Sequence, residues 1–388
     1  MGSAIRLAVN PAVLRWARET SGATIEDAAK RLRVPPSAFS RWEAEKASLT
    51  LTQARSLASY FKRPLAAFLL PEPPPESAPP SDFRILPGVR DRFDRKTRLA
   101  IRKAQRLRSV AKEIMRAMER ETSPKLRTAT LSDRADQVAD GERERLGIAI
   151  ETQVKWQNEW RAFREWRAAL EGQNILVFQF PMPVEDARGF SLSDEEPYAI
   201  VVSSSDAVRA RIFTLFHEYA HLLLHTPGVC LPRLDVRQQR HEAQVERWCN
   251  RFAGAFLLPE SSLSTNLQVT PRELKGEELY EVLQETARQF KISEQVVLWR
   301  LRDLDVISRD AFQIGMERLV ARAKRMKRRG GPVAPAKKCV AENGPLFTSL
   351  VIEAKGRGIL TYSDVSDYLS VRLKHLPEIE SSLAVVAA

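Results

Sequence analysis

The stretch "RIFTLFHEYAHLLLH", residues 211 to 225, sets His217 and His221 four apart, with Glu218 directly after the first. Only five histidines occur in the chain, and three of them lie in these fifteen residues. On a helix, residues four apart sit about 40° from one another, so both imidazoles project from one face and can share one zinc ion. Glu218 is then placed to take a proton from an attacking water. A short HExxH match arises by chance fairly often, but this one follows a strand-like run. It also sits inside an apolar stripe of Ile212, Phe213, Phe216, Ala220, Leu223 and Leu224. The competing reading is a pair of packed core histidines with a solvated glutamate.

A catalytic zinc needs a third protein ligand and one open position. One known route puts a glycine three, and a histidine six, residues after the second histidine. Leu224 and Pro227 occupy those positions and exclude it. The other route is a carboxylate from a following helix, and "HEAQVERWCNRFAGAFLLP" (241 to 259) reads as that helix. Its apolar face is Val245, Trp248, Cys249, Phe252, Ala253 and Phe256. Glu246 borders this face and is the expected third ligand, with His241 and Glu242 as the alternatives.

These side chains must be held by a large, soluble chain. With 388 residues, more than one domain is expected. No apolar run is long enough for a membrane span, and the N-terminus lacks a signal-peptide pattern. Three cysteines without a spacing motif suit a reducing cytoplasm rather than a disulfide framework. The net charge of +12 is unevenly spread: residues 1 to 128 hold 26 Lys+Arg against 13 Asp+Glu, and the rest hold 35 against 36. A localised basic excess is the electrostatic footprint of a nucleic-acid-binding part.

"PEPPPESAPPSD" (71 to 82) reads as a stiff linker, and "RRGGPVAPAKKCVAENG" (328 to 344) as a second break after a basic run. Residues 93 to 120 have apolar positions at helical spacing and an Arg-rich face, which predicts a basic amphipathic helix able to meet single strands. "NILVFQF" (174 to 180) and "YAIVVSS" (198 to 204) read as strands.

In "TIEDAAKRLRVPPSAFSRWEAEK" (24 to 46), Thr24 and Asp27 form a capping box opening a helix over 25 to 32. Arg33 and Val34 make a tight break, and Pro35 and Pro36 suit the entry to a helix over 36 to 43. Residues 11 to 20 and 52 to 61 supply flanking helices. This is helix-turn-helix geometry, with Ser37, Ser40 and Arg41 presented outward as the DNA-contacting residues. It resembles the phage-repressor-like XRE domain over residues 10 to 70. Arg41 is its one strong base-reading side chain.

The pair HEYAH and, 25 residues after His221, ExxCNRFAGAFLLP is similar to the ImmA/IrrE family of zinc metallopeptidases. That family's pattern is HExxH, then Glu-x-x-Ala-Asn-x-Phe-Ala and a Leu-Leu-x-Pro-like ending. The resemblance implies that His217, His221 and Glu246 are the ligands of one Zn2+ per chain and that Glu218 is the general base. It also implies that Asn250, Phe252 and Ala253 are a packing signature. Cys249 replaces the usual Ala, and Ser203 stands where the family often has Asn before the metal helix. The resemblance spans roughly residues 10 to 310, and 345 to 383 is similar to the family's C-terminal helical extension.

The expected fold is mainly α with a small antiparallel β-sheet (α+β). A helix-turn-helix bundle (1–70) leads through the linker (71–92) to a zincin-like metallopeptidase domain (93–310). A basic helix and loop (311–344) and a C-terminal extension (345–388) follow. The implied activity is endoproteolysis of a helix-turn-helix repressor, which switches on stress, DNA-damage, mobile-element or defence genes. The implied partners are that protein substrate and duplex or single-stranded DNA. The alternatives are a DNA-binding regulator with a structural or inactive zinc site, or a toxin–antitoxin component. Cys339, in "PAKKCVAENG", reads as a loop thiol beside Lys337 and Lys338, which favour the thiolate. It is the candidate inhibitory ligand for the open position.

Overall fold

The computed structural model describes residues 5–45, 47–74, 93–225, 229–230, 240–266, 274–325, 331 and 333–387. Most of the Pro-rich linker and the basic loop 326–330 lie outside the described residues. The chain divides into two compact units, Met1–Lys103 and Ala104–Ala388.

The first unit runs β1 (Arg6–Val9), α1 (Pro11–Thr20), α2 (Ile25–Leu32), α3 (Pro36–Ala44), β2 (Ala47–Thr50) and α4 (Leu51–Phe61), with β1 and β2 antiparallel. The expected capping box forms: Thr24 and Asp27 each accept from the other's backbone N–H at 3.1 Å. Arg33 takes the left-handed conformation (φ 58°), which ends α2 and turns the chain into α3. Val9, Leu14, Ala28, Phe39, Leu57 and Phe61 fill the core. Ala28, fully buried, lets α2 and α3 approach closely. Glu43 of α3 is buried and accepts from Arg18 of α1 at 2.7 and 2.9 Å, which pins the third helix to the first.

Helix α5 (Arg95–Ala117) starts in the first unit and continues into the second. In the first unit Arg102 donates to Phe61 O (2.7 Å) and Lys62 O (2.6 Å), taking up backbone carbonyls at the end of α4.

The second unit continues with α6 (Ala135–Arg145), α7 (Ile150–Lys155), α8 (Glu159–Glu171), β3 (Leu176–Phe180), β4 (Gly189–Leu192), β5 (Ala199–Ser203), α9 (Val208–Leu223), β6 (Val229–Cys230) and α10 (Arg240–Leu257). Then come α11 (Glu260–Asn266), α12 (Gly276–Phe290), α13 (Glu294–Asp303), α14 (Arg309–Arg325), α15 (Pro335–Asn343), α16 (Pro345–Gly356), α17 (Tyr362–Leu369) and α18 (Leu376–Ala387). The sheet order is β3-β5-β4-β6. The expected antiparallel sheet is in fact mixed, because β3 and β5 run parallel. After β3 the chain reverses into β4 one place further out, and β5 returns antiparallel to β4 in the gap between them. Two reversals leave β5 pointing along β3.

Both faces of this sheet are covered, which explains why β3, β4 and β5 are buried along their whole length. Val177, Ile200 and Val202 join the core built by α8, α9 and α10, where Phe216 stacks on Phe256 (4.1 Å) and meets Trp166 edge-on (5.0 Å). On the alternate residues, Phe178 stacks with Phe180 and meets Phe347 of α16 at 5.7 Å. The C-terminal extension thus closes the second face of the sheet.

Two sets of buried polar groups fasten these layers. The last carbonyls of α10 are capped in series: Arg143 donates to Phe256 O (2.9 Å), Gln153 to Leu257 O (3.1 Å) and Arg300 to Leu258 O (3.0 Å). Helix ends leave such carbonyls without intrahelical partners, and cations there also favour the helix dipole. Arg300 further pairs with Asp136 at 2.6 Å, joining α13 to α6. At the outer edge of β3, Arg167 donates to Val177 O and to Ala341 O, and its partner Glu171 accepts from Leu346 N at 3.1 Å. Gly344, between α15 and α16, has φ 86°, and any Cβ there would strike this pair.

The caps and the junction are testable. Arg300→Met leaves Leu258 O and part of Asp136 unpaired in the interior and should destabilise the second unit by about 3 kcal/mol in urea unfolding. A change within error would show that the caps contribute little. Burial pushes the Glu171 carboxyl up to about 7 against the opposing pull of Arg167. A folded value above the unfolded one stabilises most below the unfolded value of 4.5, and that contribution is lost as pH rises through about 7. The second unit should therefore lose stability between about pH 5 and 8, with a flatter profile in Glu171→Gln. Identical profiles would refute this.

Candidate metal centre

Helix α9 lies in the interior, and from Thr214 to Leu223 every residue is buried. Its start is held by Asp206, which accepts from Ala207 N (2.8 Å) and pairs with Arg188 (2.6 Å). Its roll is set from behind: Tyr219 donates its hydroxyl to the buried Glu142 of α6, which also holds Arg145 at 2.6 Å. Tyr219 thus faces away from His217 and His221. Helix α10 packs along α9 through aromatic contacts such as Phe216 on Phe256, and beside them a polar strip carries His217, His221 and Glu246.

His217 Nε2 and His221 Nε2 lie 3.2 Å apart. Glu246 brings Oε2 to 3.3 Å from His217 Nε2 and Oε1 to 3.3 Å from His221 Nε2. For zinc bonds of roughly 2.0–2.1 Å, the edges of a tetrahedron are about 3.3 Å, so the two imidazole nitrogens are spaced as ligands of one zinc and each Glu246 oxygen is so spaced from one of them. These three residues form the one group of His, Cys and acidic side chains among the described residues that could hold a metal. His241 is exposed, and neither it nor Glu242 belongs to the group.

The electrostatics point the same way. Burial opposes charge on Glu246, but the adjacent His217 and His221 overcome it and hold the carboxyl well below the usual range. Burial likewise opposes a proton on His217, and Glu246, Glu218 and Asn250 reverse that and raise its pKa. Three lone-pair donors converge at one largely buried point, which a cation would satisfy.

Glu218 is fully buried and lies against β4. A Cβ at Gly189 would come within 2.5 Å of Thr214 Cγ2, 2.8 Å of Val201 O and 3.4 Å of Glu218 Cγ. Only glycine lets the strand lie this close to the helix beside Glu218. Gly189 belongs to none of the motifs above, although a glycine inside a strand pattern signals close backbone approach. Of the three residues expected as a packing signature, Phe252 and Ala253 are buried, but Asn250 is exposed and faces His217 Nδ1 at 3.1 Å. Ser203, standing where the resemblance led to Asn, donates to Met182 O at 2.7 Å and accepts from Ser205 N.

One expectation fails. Cys339 is not on a loop: it is buried in α15, with Sγ 3.6 Å from Leu369 O and from Asn343 Nδ2. The proline and glycine around it are the start and stop marks of a short helix, with Pro335 in its first turn and Gly344 just past its end. The thiol is packed inside the C-terminal layer, which removes the swinging-loop latch. The expected basic helix forms, and several of its cations are engaged. Arg108 is buried and binds Asp194 at 2.6 Å; Lys112 holds Glu195 at 2.6 Å, and Arg106 pairs with Asp367 at 3.3 Å. Just beyond the helix, Arg120 holds Glu353 at 2.8 Å. In the first unit, Ser37, Ser40 and Arg41 are exposed on α3. Among the described residues no helix is long and apolar enough to cross a membrane.

Comparison with known families agrees with this architecture. Residues 170–302 match the peptidase family described as the IrrE N-terminal-like domain, and residues 12–68 match a helix-turn-helix domain. No curated protein and no solved structure gives a match. The chain thus carries a segment that matches a helix-turn-helix domain, followed by one that matches the IrrE N-terminal-like domain.

Proposed function

We propose that the protein is a zinc endopeptidase that cuts a helix-turn-helix transcriptional repressor, and that its own helix-turn-helix domain brings it to DNA. The observation that carries this reading is the cluster of His217, His221 and Glu246 donors, with neighbouring atoms 3.2–3.3 Å apart, and Glu218 on the same buried helix. His217, His221 and Glu246 hold one zinc per chain. When bound, zinc supplies Lewis acidity toward the scissile carbonyl and makes water acidic enough to ionise near neutral pH. Glu218 takes the proton of the attacking water and returns it to the leaving amine. Its burial keeps bulk water from competing for that proton, and the close approach of β4 at Gly189 restricts its side chain. Glu246, with 16% of its side chain exposed, marks the open side from which a peptide enters.

The reading of the protein as a DNA-binding regulator with a structural zinc draws on the exposed face of α3, and the two readings separate on Glu218. Metal analysis of the purified protein should find one zinc per chain, largely lost in His221→Ala. Glu218→Gln should keep its zinc and lose cleavage of a small helix-turn-helix repressor, by roughly 10²-fold or more. Full zinc retention by His221→Ala would sink the ligand assignment, and undiminished cleavage by Glu218→Gln would sink the mechanism.

DNA binding should reside in the first unit and weaken steeply with salt, because phosphate contacts release counterions. Arg41→Ala should cost about 1–3 kcal/mol and relax preference at one base position. Binding that persisted after deletion of residues 1–74 would place the interface elsewhere.

A further inference from the structure

We infer that Asn250 is a positioning residue of the metal centre: it accepts a hydrogen bond from His217 Nδ1 and thereby fixes the ring state that aims Nε2 at the cation. The inference rests on the zinc reading above. A neutral imidazole carries one proton, so one ring nitrogen donates and the other holds the lone pair. With Asn250 Oδ1 3.1 Å from Nδ1, the proton stays on Nδ1 and Nε2 is free to bind. The opposite tautomer would point an N–H into the cluster and put a donor where a ligand is needed. Asn250 lies one helical turn after Glu246 on α10, so a single helix supplies one ligand and orients another. The register of α10 against α9 therefore sets both distances together.

The choice of side chain has a consequence. An amide oxygen is a neutral acceptor, whereas a carboxylate in the same place would make the imidazole more basic and a stronger donor to the metal. Asn250 is exposed, so truncating it opens no cavity in the core. What truncation removes is the partner of a ring that is itself buried, held on its other side by contact with Phe213 at 6.2 Å between centroids. The effect should fall on metal affinity and leave the fold alone.

The test is chelator-competition titration of zinc with the full-length protein as wild type, Asn250→Ala and Asn250→Asp, beside thermal unfolding of each metal-free protein. Asn250→Ala should bind zinc roughly 10–100-fold more weakly with an unchanged metal-free unfolding temperature. Asn250→Asp should bind at least as tightly as wild type. Equal affinity in Asn250→Ala, or an Asn250→Asp as weak as Asn250→Ala, overturns the inference while the zinc reading stands. A wild type that binds no zinc overturns both. Should Asn250→Ala fail to fold, nitrogen-15 spectra of the wild-type histidine rings decide. A proton on Nδ1 of His217 supports the inference, and a proton on Nε2 overturns it.

Discussion

The second unit is organised around three lone-pair donors brought together between α9 and α10, with His217 and His221 buried and Glu246 partly open. Such an arrangement is unfavourable on its own, because burying polar groups costs them their hydration and like lone pairs repel at close range. It persists because α9 and α10 are locked together by apolar packing on the same interface. Phe216, Phe252 and Phe256 lie beside the polar strip that carries His217, His221 and Glu246. The aromatic contacts decide where these three side chains stand.

Most of the remaining polar interior serves to keep those two helices in place. Tyr219, Glu142 and Arg145 fix the roll of α9, while Arg143, Gln153 and Arg300 close the end of α10. These partners come from α6, α7 and α13, and α6 and α7 lie outside residues 170–302. The matched segment thus depends on helices that precede it, just as the sheet depends on the C-terminal helices for its second face.

Charge in this chain is less a guide to surface than its total suggests. Arg108, Lys112 and Arg106 sit in the most basic stretch, yet each is matched to an acid far away in sequence. Arg143, Arg167 and Arg300 are buried and bind carbonyls. Arginine suits this use because its planar fork offers several donors and loses less hydration than an ammonium. A count of positive residues therefore overstates what is left for nucleic acid.

Local physics made much of the chain legible from sequence alone. Capping by Thr24 and Asp27, the break at Arg33, the strands around 176–180 and 199–203 and the two-histidine face of α9 all depend on neighbours within a few residues. Period and caps carry such information directly. The third donor was legible too, because Glu246 borders an apolar face whose direction the helical period sets. The long-range outcomes were decided in three dimensions. The parallel pairing of β3 with β5, the burial of Cys339, the engagement of Arg108 and the approach of Gly189 to Glu218 join segments tens to hundreds of residues apart. No periodicity encodes such a partnership. Asn250 shows the boundary well: its place one turn from Glu246 was visible in the sequence, but its bond to His217 exists only because α9 and α10 pack in one register.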